Sequence, residues 1–402
     1  MKQILLIILA LTPFAEIKSQ NLALLSQVET RSINSSKYHA LSIIEANFDT
    51  LQLKSNNNIL ELMLPNNKRI KVMNSGLKLK SNNKYSWFGQ VVGENSSSVS
   101  FAVVEQSVSG SIFIGNQVFE VFPLGNNRVE IVELDLEKFD SCEGGISVVD
   151  TKNTVTHKGL ISKDVSSMDV LIVYSNDTLA AVGSAASVES LAQAAIDNMN
   201  TSLANSQLLA GVASVNLLAV VGINRNESGN SSTELSWLRS DATVLSLRNQ
   251  YGADLVSMIS ATTGCGVGYV MRNPDANFSE HAFQVTKYTC AVGNLTMAHE
   301  FGHNLGLEHN PENSSAWPND GSFDYSYAHY HDGSYRTVMS YSSQCSSACT
   351  RRMYYSNPDV TFNSLATGVI NERDNARTLE QTTLFAVNFR ESVNYIFIDG
   401  FE

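Results

Sequence analysis

The chain of 402 residues is 43% hydrophobic and 16% charged, a composition that excludes a wholly disordered polymer and suffices for two or three domains. Its 27 basic and 39 acidic residues leave a net charge of −12, which excludes the basic footprint of a nucleic-acid or anionic-lipid binder. Seven prolines and 24 glycines exclude collagen-like and proline-rich fibrous material.

The N-terminus reads Met1-Lys2, then an apolar stretch from Ile4 to Leu11, with a small residue at Ser19. This predicts a secretory signal peptide over residues 1–19 and a secreted protein. No later run reaches the eighteen or so continuous apolar residues of a bilayer span, so no membrane span is expected. Residues 20–150 read mostly as strands. Ser98 to Val104 alternates, with Val99, Phe101 and Val103 on one face, and two further runs (Ser109–Ile114, Gln117–Phe122) flank Gly115-Asn116, a hairpin signal. Residues 151–167 are polar and without aromatics, which predicts an interdomain linker.

Past the linker the pattern changes. Met168 to Tyr174 is a near-continuous apolar run, the pattern of a strand buried on both faces. A helical stripe follows from Ser187 to Leu209 (Leu191, Ala195, Ile196, Met199), then a strand from Val215 to Ile223. Glu234 to Gln250 places Leu235, Leu238, Val244 and Leu247 at helical spacing, and Ala253 to Ile259 is again strand-like. Alternating strands and helices imply parallel pairing through right-handed crossovers, hence an α/β domain over residues 168–390. Residues 391–402 form a short tail.

An exported chain permits disulfides, and the five cysteines are Cys142, Cys265, Cys290, Cys345 and Cys349. The odd number leaves one thiol over; Cys142 stands alone, and the expected pairs are Cys265–Cys290 and Cys345–Cys349, one of three connectivities for four cysteines.

Residues 299–309 read His-Glu-Phe-Gly-His-Asn-Leu-Gly-Leu-Glu-His. With Asn294 as N-cap and Ala298, Phe301 and Leu305 on an apolar face, a helix is predicted over about 295–305. His299 and His303, four apart, then share one face and reach one Zn²⁺, while Glu300 stands beside the metal without ligating it. Gly306 can take the left-handed conformation that ends the helix, so that His309 completes a three-histidine site with an open fourth position. Five fixed positions of these residue types arise by chance in such a chain with an expectation of about 10⁻⁵.

His299-Glu300-x-x-His303-x-x-Gly306-x-x-His309 resembles the metzincin zinc-protease motif in full. Thr337-Val-Met339-Ser-Tyr341 looks like the Met-turn of that clan, with Met339 beneath the ligands. Ser187–Ile259 and Cys265–Arg377, including Tyr355-Ser-Asn-Pro-Asp359 and Asn375-Ala-Arg377, resemble bacterial reprolysin-like, peptidyl-Asp metalloendopeptidase-like peptidases. Trp87 through Phe122 is similar to the propeptide of that group. The resemblance implies an α/β (α+β zincin) catalytic domain with a mixed twisted sheet and an active-site helix, behind a mostly β propeptide at 20–150. It implies one catalytic Zn²⁺, with calcium left undecided, and a secreted zymogen activated by cleavage in the 151–167 linker. Protein or peptide substrates and the chain's own propeptide are its expected partners, and a monomer its expected state. In this mechanism Glu300 is the general base, taking the proton of the water that attacks a peptide carbonyl.

Weaker expectations come with the same resemblance. Tyr341 is a candidate oxyanion stabiliser or fifth ligand; a packed aromatic with a wet hydroxyl is the plainer reading. Cys142, in Phe139-Asp-Ser-Cys-Glu-Gly-Gly145, is a candidate zymogen switch, although acids stand where basic or proline residues usually accompany such a thiol, and Asp140 is the substitute candidate. Arg351 and Arg352 are candidates for a specificity pocket that prefers cleavage before acidic residues, against the ordinary alternative of solvated surface charge. His329 and His331 read as surface residues. The rival reading is a zinc-containing binding or adhesion module with lost proteolysis, which Glu300 argues against because a purely structural site needs four protein ligands and no base. A zinc hydrolase of small amides is a third.

Overall fold

The computed structural model describes residues 22–31, 39–54, 59–140, 142–148, 166–208, 212–347 and 349–391. The expected signal peptide, nearly all of the linker and the C-terminal tail lie outside the described residues. Among those residues, no single helix is long and apolar enough to cross a membrane.

Ten strands between Leu22 and Leu134 form one sheet, whose central members run as an antiparallel meander from Ile59 to Leu134. The Ser107–Ile114 and Gln117–Gly125 strands pair Ile114 with Gln117 across the two-residue turn, where Gly115 has φ +52°. One face of this sheet encloses its own core around Trp87, Phe101 and Ile112. Around Ser107–Ile114 the opposite face does not meet solvent either. Every residue of Ser107–Ile114 is buried, because its serines point at the long helix Ala185–Asn205. Ser107 bonds Ser187 at 3.1 Å, Ser109 bonds Ser190 at 2.8 Å, and Ser111 bonds Asn198. Small hydroxyls let strand and helix approach closely while satisfying each other's polar groups. The alternation visible in the sequence is therefore apolar core against a polar protein interface, rather than core against water.

The second sheet has six strands in the order Gly145–Ser147, Gly266–Val270, Phe283–Lys287, Leu255–Ser260, Ser166–Tyr174, Val212–Gly222. The last four are mutually parallel, as strand–helix alternation requires, and Gly266–Val270 runs antiparallel to Phe283–Lys287. The sheet is thus mixed. Ser166 and Ser167, assigned to the linker from sequence, already belong to its strand. The helix expected over 234–250 is two, Ser231–Ser240 and Ala242–Tyr251, because Asp241 turns extended and its carboxylate caps Thr243 and Val244. The short strand Gly145–Ser147 comes from the stretch expected to belong to the N-terminal unit, yet it pairs in parallel with the edge of the second sheet.

Candidate metal centre

The motif helix runs Thr296–Asn304 and is wholly buried. Its cap differs from expectation. Leu295, at φ 58°, holds the N-cap position with no side-chain cap, and the Thr296 N–H bonds the Cys290 carbonyl instead. Asn294 turns its side chain to Thr296 Oγ1. The Cys265–Cys290 disulfide anchors this loop, and Cys345–Cys349 is also formed. Gly306, at φ +83°, ends the helix, and Leu307 N–H reaches back to the Gly302 carbonyl.

The chain doubles back so that the three histidines converge. His309 Nε2 is 3.1 Å from His299 Nε2 and 3.0 Å from His303 Nε2. His299 Nδ1 donates to the Val338 carbonyl at 2.9 Å and His303 Nδ1 to the Leu307 carbonyl at 2.8 Å. A carbonyl only accepts, so each Nδ1 carries the proton and each Nε2 presents a lone pair to the centre. Burial, the neighbouring histidines and the Arg351 charge hold His299 and His309 well below the ordinary imidazole range, so the rings are neutral. Neutral imidazoles with facing lone pairs are unfavourable alone and are the donor set of a divalent transition metal.

Cys142 Sγ stands 3.0 Å from His299 Nε2, 3.2 Å from His309 Nε2 and 4.0 Å from His303 Nε2, completing a buried four-donor cluster. Asp140 is not part of it; it lines a neighbouring cavity. Tyr341 puts its hydroxyl 2.9 Å from the same sulfur and also donates to the Cys142 carbonyl at 2.9 Å, with its ring against His309. The ring of Tyr341 is packed, but its hydroxyl is turned to the Cys142 sulfur and carbonyl rather than to water.

Glu300 is fully buried, and neither carboxylate oxygen has a hydrogen-bond partner, the Cys142 thiol being its polar neighbour. Burial pushes its pKa well above the usual carboxylate range. The space for it is made by glycines that the sequence reading passed over. A Cβ on Gly266 would lie 2.6 Å from Glu300 Oε1, and one on Gly268 would lie 3.0 Å from the Glu300 carbonyl. Met339 lies against the helix, where a Cβ on Gly302 would meet its sulfur at 2.4 Å. Tyr355 supports the helix from below by donating to the Ala298 carbonyl.

The two arginine candidates part company. Arg351 faces the cluster side, its Nη1 donating to the Asn294 carbonyl at 2.7 Å. Arg352 points the other way, bonding Gly115 and Asn116 of the N-terminal sheet and stacking over Phe362. Neither is solvated surface charge, since they are 6% and 4% exposed. His331 is exposed, whereas His329 is half-buried, contrary to expectation, and both lie outside the cluster. Two contributors were missed. Arg336, adjacent to the Met-turn, is 4% exposed beside Arg351, and Asn310 fixes the Tyr341 N–H through its side-chain oxygen. An arginine three residues before the Met-turn methionine was the available signal for the first.

Residues 185–310 match the model of the reprolysin-like metallopeptidases of family M12B. A peptidyl-Asp metalloendopeptidase of Xanthomonas campestris is 28% identical over 304 residues, covering 71% of this chain and 68% of that protein. Another of the same name, from Stenotrophomonas maltophilia, is 29% identical over 301 residues with the same coverages. Among solved structures, metalloproteinase-II from Bacteroides fragilis is similar at 12% identity and a TM-score of 0.41, over 69% of this chain and 88% of that one. The chain thus carries, at residues 185–310, a domain similar to the reprolysin-like metallopeptidases of family M12B, and that domain ends on the three-histidine motif.

Proposed function

We propose that the full chain is the latent, secreted precursor of a zinc endopeptidase, with residues 20–150 as its inhibitory propeptide and activation by cleavage within 151–167. The observation that carries this reading is the Cys142 sulfur among three imidazole nitrogens, with the orphaned Glu300 carboxylate alongside. When bound at His299, His303 and His309, zinc supplies Lewis acidity and makes hydroxide available near neutral pH. Glu300 takes the proton of the attacking water and passes it to the departing amine. Tyr341 directs its O–H at the same centre, where it would steady a developing oxyanion.

Latency has two supports. Cys142 would supply the fourth donor to a metal held by the three histidines, where the attacking water is needed. Residues 143–147 then run along the edge strand, with the Glu143 N–H on the Gly266 carbonyl and Gly145–Ser147 in parallel pairing with Gly268–Val270. That edge is where an extended substrate would add as a strand, so the same segment covers both the metal and the peptide groove. The relatives' name brings a preference for bonds next to aspartate to this chain as part of the proposal.

The test is casein cleavage by the intact chain and by chain nicked in the linker, each with and without a chelator, with zinc measured on the same samples. Activity that appears on nicking and vanishes on chelation is the expected result. A nicked, zinc-loaded and inert protein would instead support the adhesion-module reading.

A further inference from the structure

Among the described residues four arginines are almost fully buried, and two of them lie apart from the metal cluster. Arg248 gives Nε to the Ala253 carbonyl and its two Nη groups to the Ser279 and Asp254 carbonyls. Arg352, whose Nε is also unpartnered, points away from the metal cluster and is bonded to Gly115 and Asn116 of the N-terminal sheet. Arg336 and Arg351 differ. They sit opposite each other in the parallel pairing of Tyr335–Arg336 with Thr350–Arg351, and are 4% and 6% exposed. Each gives one Nη1 to a carbonyl, of Ser340 and Asn294 respectively, and each leaves its buried Nε with no partner. Neither takes part in any ion pair among the described residues; the nearest carboxylate whose charge Arg351 feels is that of Glu300, beside the metal cluster. Burial and the Arg351 charge hold Arg336 well below the usual guanidinium range, and burial lowers Arg351 to about 10. Such a pair is unfavourable unless something anionic visits it.

Both side chains line one cavity of about 310 Å³, shared with Tyr341 and Asn294. Tyr341 is the common wall between this cavity and the metal cluster, because its hydroxyl lies 2.9 Å from Cys142 Sγ. Asp140, two residues before the blocking thiol, lines the same cavity, so the chain's own inhibitory segment presents a carboxylate there.

We infer that Arg336 and Arg351 together form the specificity pocket, binding the side-chain carboxylate of the residue that follows the scissile bond. The inference rests on the endopeptidase reading above and deepens it by assigning the residues that recognise the acid. Two guanidinium forks meet one carboxylate with the planar, two-point geometry that lysine cannot supply. Arg352 has no part in it.

The test uses full chain, zinc-loaded and nicked in the linker, on quenched peptides carrying Asp or Asn after the scissile bond. A site built to bond a carboxylate rejects its neutral isostere strongly, so the Asp-to-Asn ratio of kcat/KM is expected to be at least about 100. Arg336→Gln and Arg351→Gln should each bring that ratio down by tenfold or more, and Arg352→Gln should leave it in place. Because the ratio is internal to each sample, general loss of folded enzyme does not move it. Should a glutamine variant fail to hold zinc, the lysine variants decide, since retained charge without the fork should still lower the ratio. An Asp preference undiminished in the lysine or glutamine variants overturns the assignment but leaves the endopeptidase standing. An unaltered enzyme that cleaves both peptides equally overturns the pocket, and one that cleaves neither peptide nor casein overturns the endopeptidase reading with it.

Discussion

Cys142 Sγ lies 3.0 Å from His299 Nε2, although 157 residues separate them in the chain. The contact is buried on both sides. The thiol arrives on a segment pinned at several points. Glu143 accepts from Ser231 Oγ at 2.7 Å, and Ser147 accepts from Arg272 at 2.7 Å. Removing the sulfur alone therefore leaves the segment's other anchors in place.

Cys142→Ala in the intact chain should raise the basal hydrolysis of a small quenched peptide by about tenfold or more, since each 1.4 kcal/mol taken from an inhibitory contact is a factor of ten. Unchanged latency would assign the inhibition to the strand pairing at Gly145–Ser147 alone. In the unaltered protein the thiol should resist alkylation until zinc is chelated, which mass spectrometry of the labelled peptide reads directly.

Glu300→Gln should retain zinc and the fold while lowering kcat by about 10²–10⁴-fold, the range for loss of a positioned general base. His309→Ala should instead lose the metal. The two variants therefore separate by metal analysis even though both are inactive, and wild-type protein stripped by chelator should regain activity on adding zinc. A Glu300→Gln enzyme that still turns over at the normal rate would remove the base assignment.

What the sequence disclosed depended on the range over which information was encoded. The motif was legible because its geometry is local: residues four apart share a helix face, and Gly306 reverses the chain within one turn. The long strands and the Ala185–Asn205 helix were legible through apolar periodicity. The edge strand Gly266–Val270 was not, because its glycines, needed to admit Glu300, erase the β-pattern. The position of Cys142 was likewise hidden. Its acidic neighbours counted against a switch, yet Glu143 is exposed and turned to Ser231 while the thiol goes inward. The serine faces of the N-terminal sheet were not legible as an interface, because polarity alone does not distinguish water from a polar partner.

Gly302→Ala probes the floor of the site. The added methyl would meet Met339 Sδ at 2.4 Å, and Met339 follows Val338, whose carbonyl orients His299. Overpacking of this kind costs about 1–3 kcal/mol. A lowered melting temperature and weaker zinc retention are expected, both partly restored by the second substitution Met339→Ala. A single variant as stable and as metal-tight as the parent would show that the Met-turn yields freely and does not fix the ligands.

The interface between the N-terminal sheet and the Ala185–Asn205 helix carries a pH dependence whose sign is fixed by Asp197. This carboxylate is 2% exposed; one oxygen accepts from Gln193 at 2.8 Å and the other has no partner. Burial pushes its pKa up to about 6, opposed by the polar groups of Ser86 and Gln193 and by the charges of Lys80 and Lys78. A carboxyl raised above its ordinary value of 3.8 binds its proton more tightly in the folded protein. Its contribution to stability is therefore full below about pH 4 and is lost as pH rises through about 6, a change of up to about 3 kcal/mol. Glu120, buried in the same interface with one oxygen on the Gly293 N–H and the other unpartnered, is raised in the same direction. Asp197→Asn, which keeps the shape without the charge, should stabilise the protein at pH 7.5 and change little at pH 4, as read from paired thermal melts. Loss of Lys80's counter-charge makes the gain smaller than that upper figure. In nicked protein the N-terminal sheet should leave faster at pH 8 than at pH 5, and more slowly in the variant at pH 8. Equal effects of the substitution at both pH values would mean that Asp197 is ionised throughout and that this interface does not respond to pH through it.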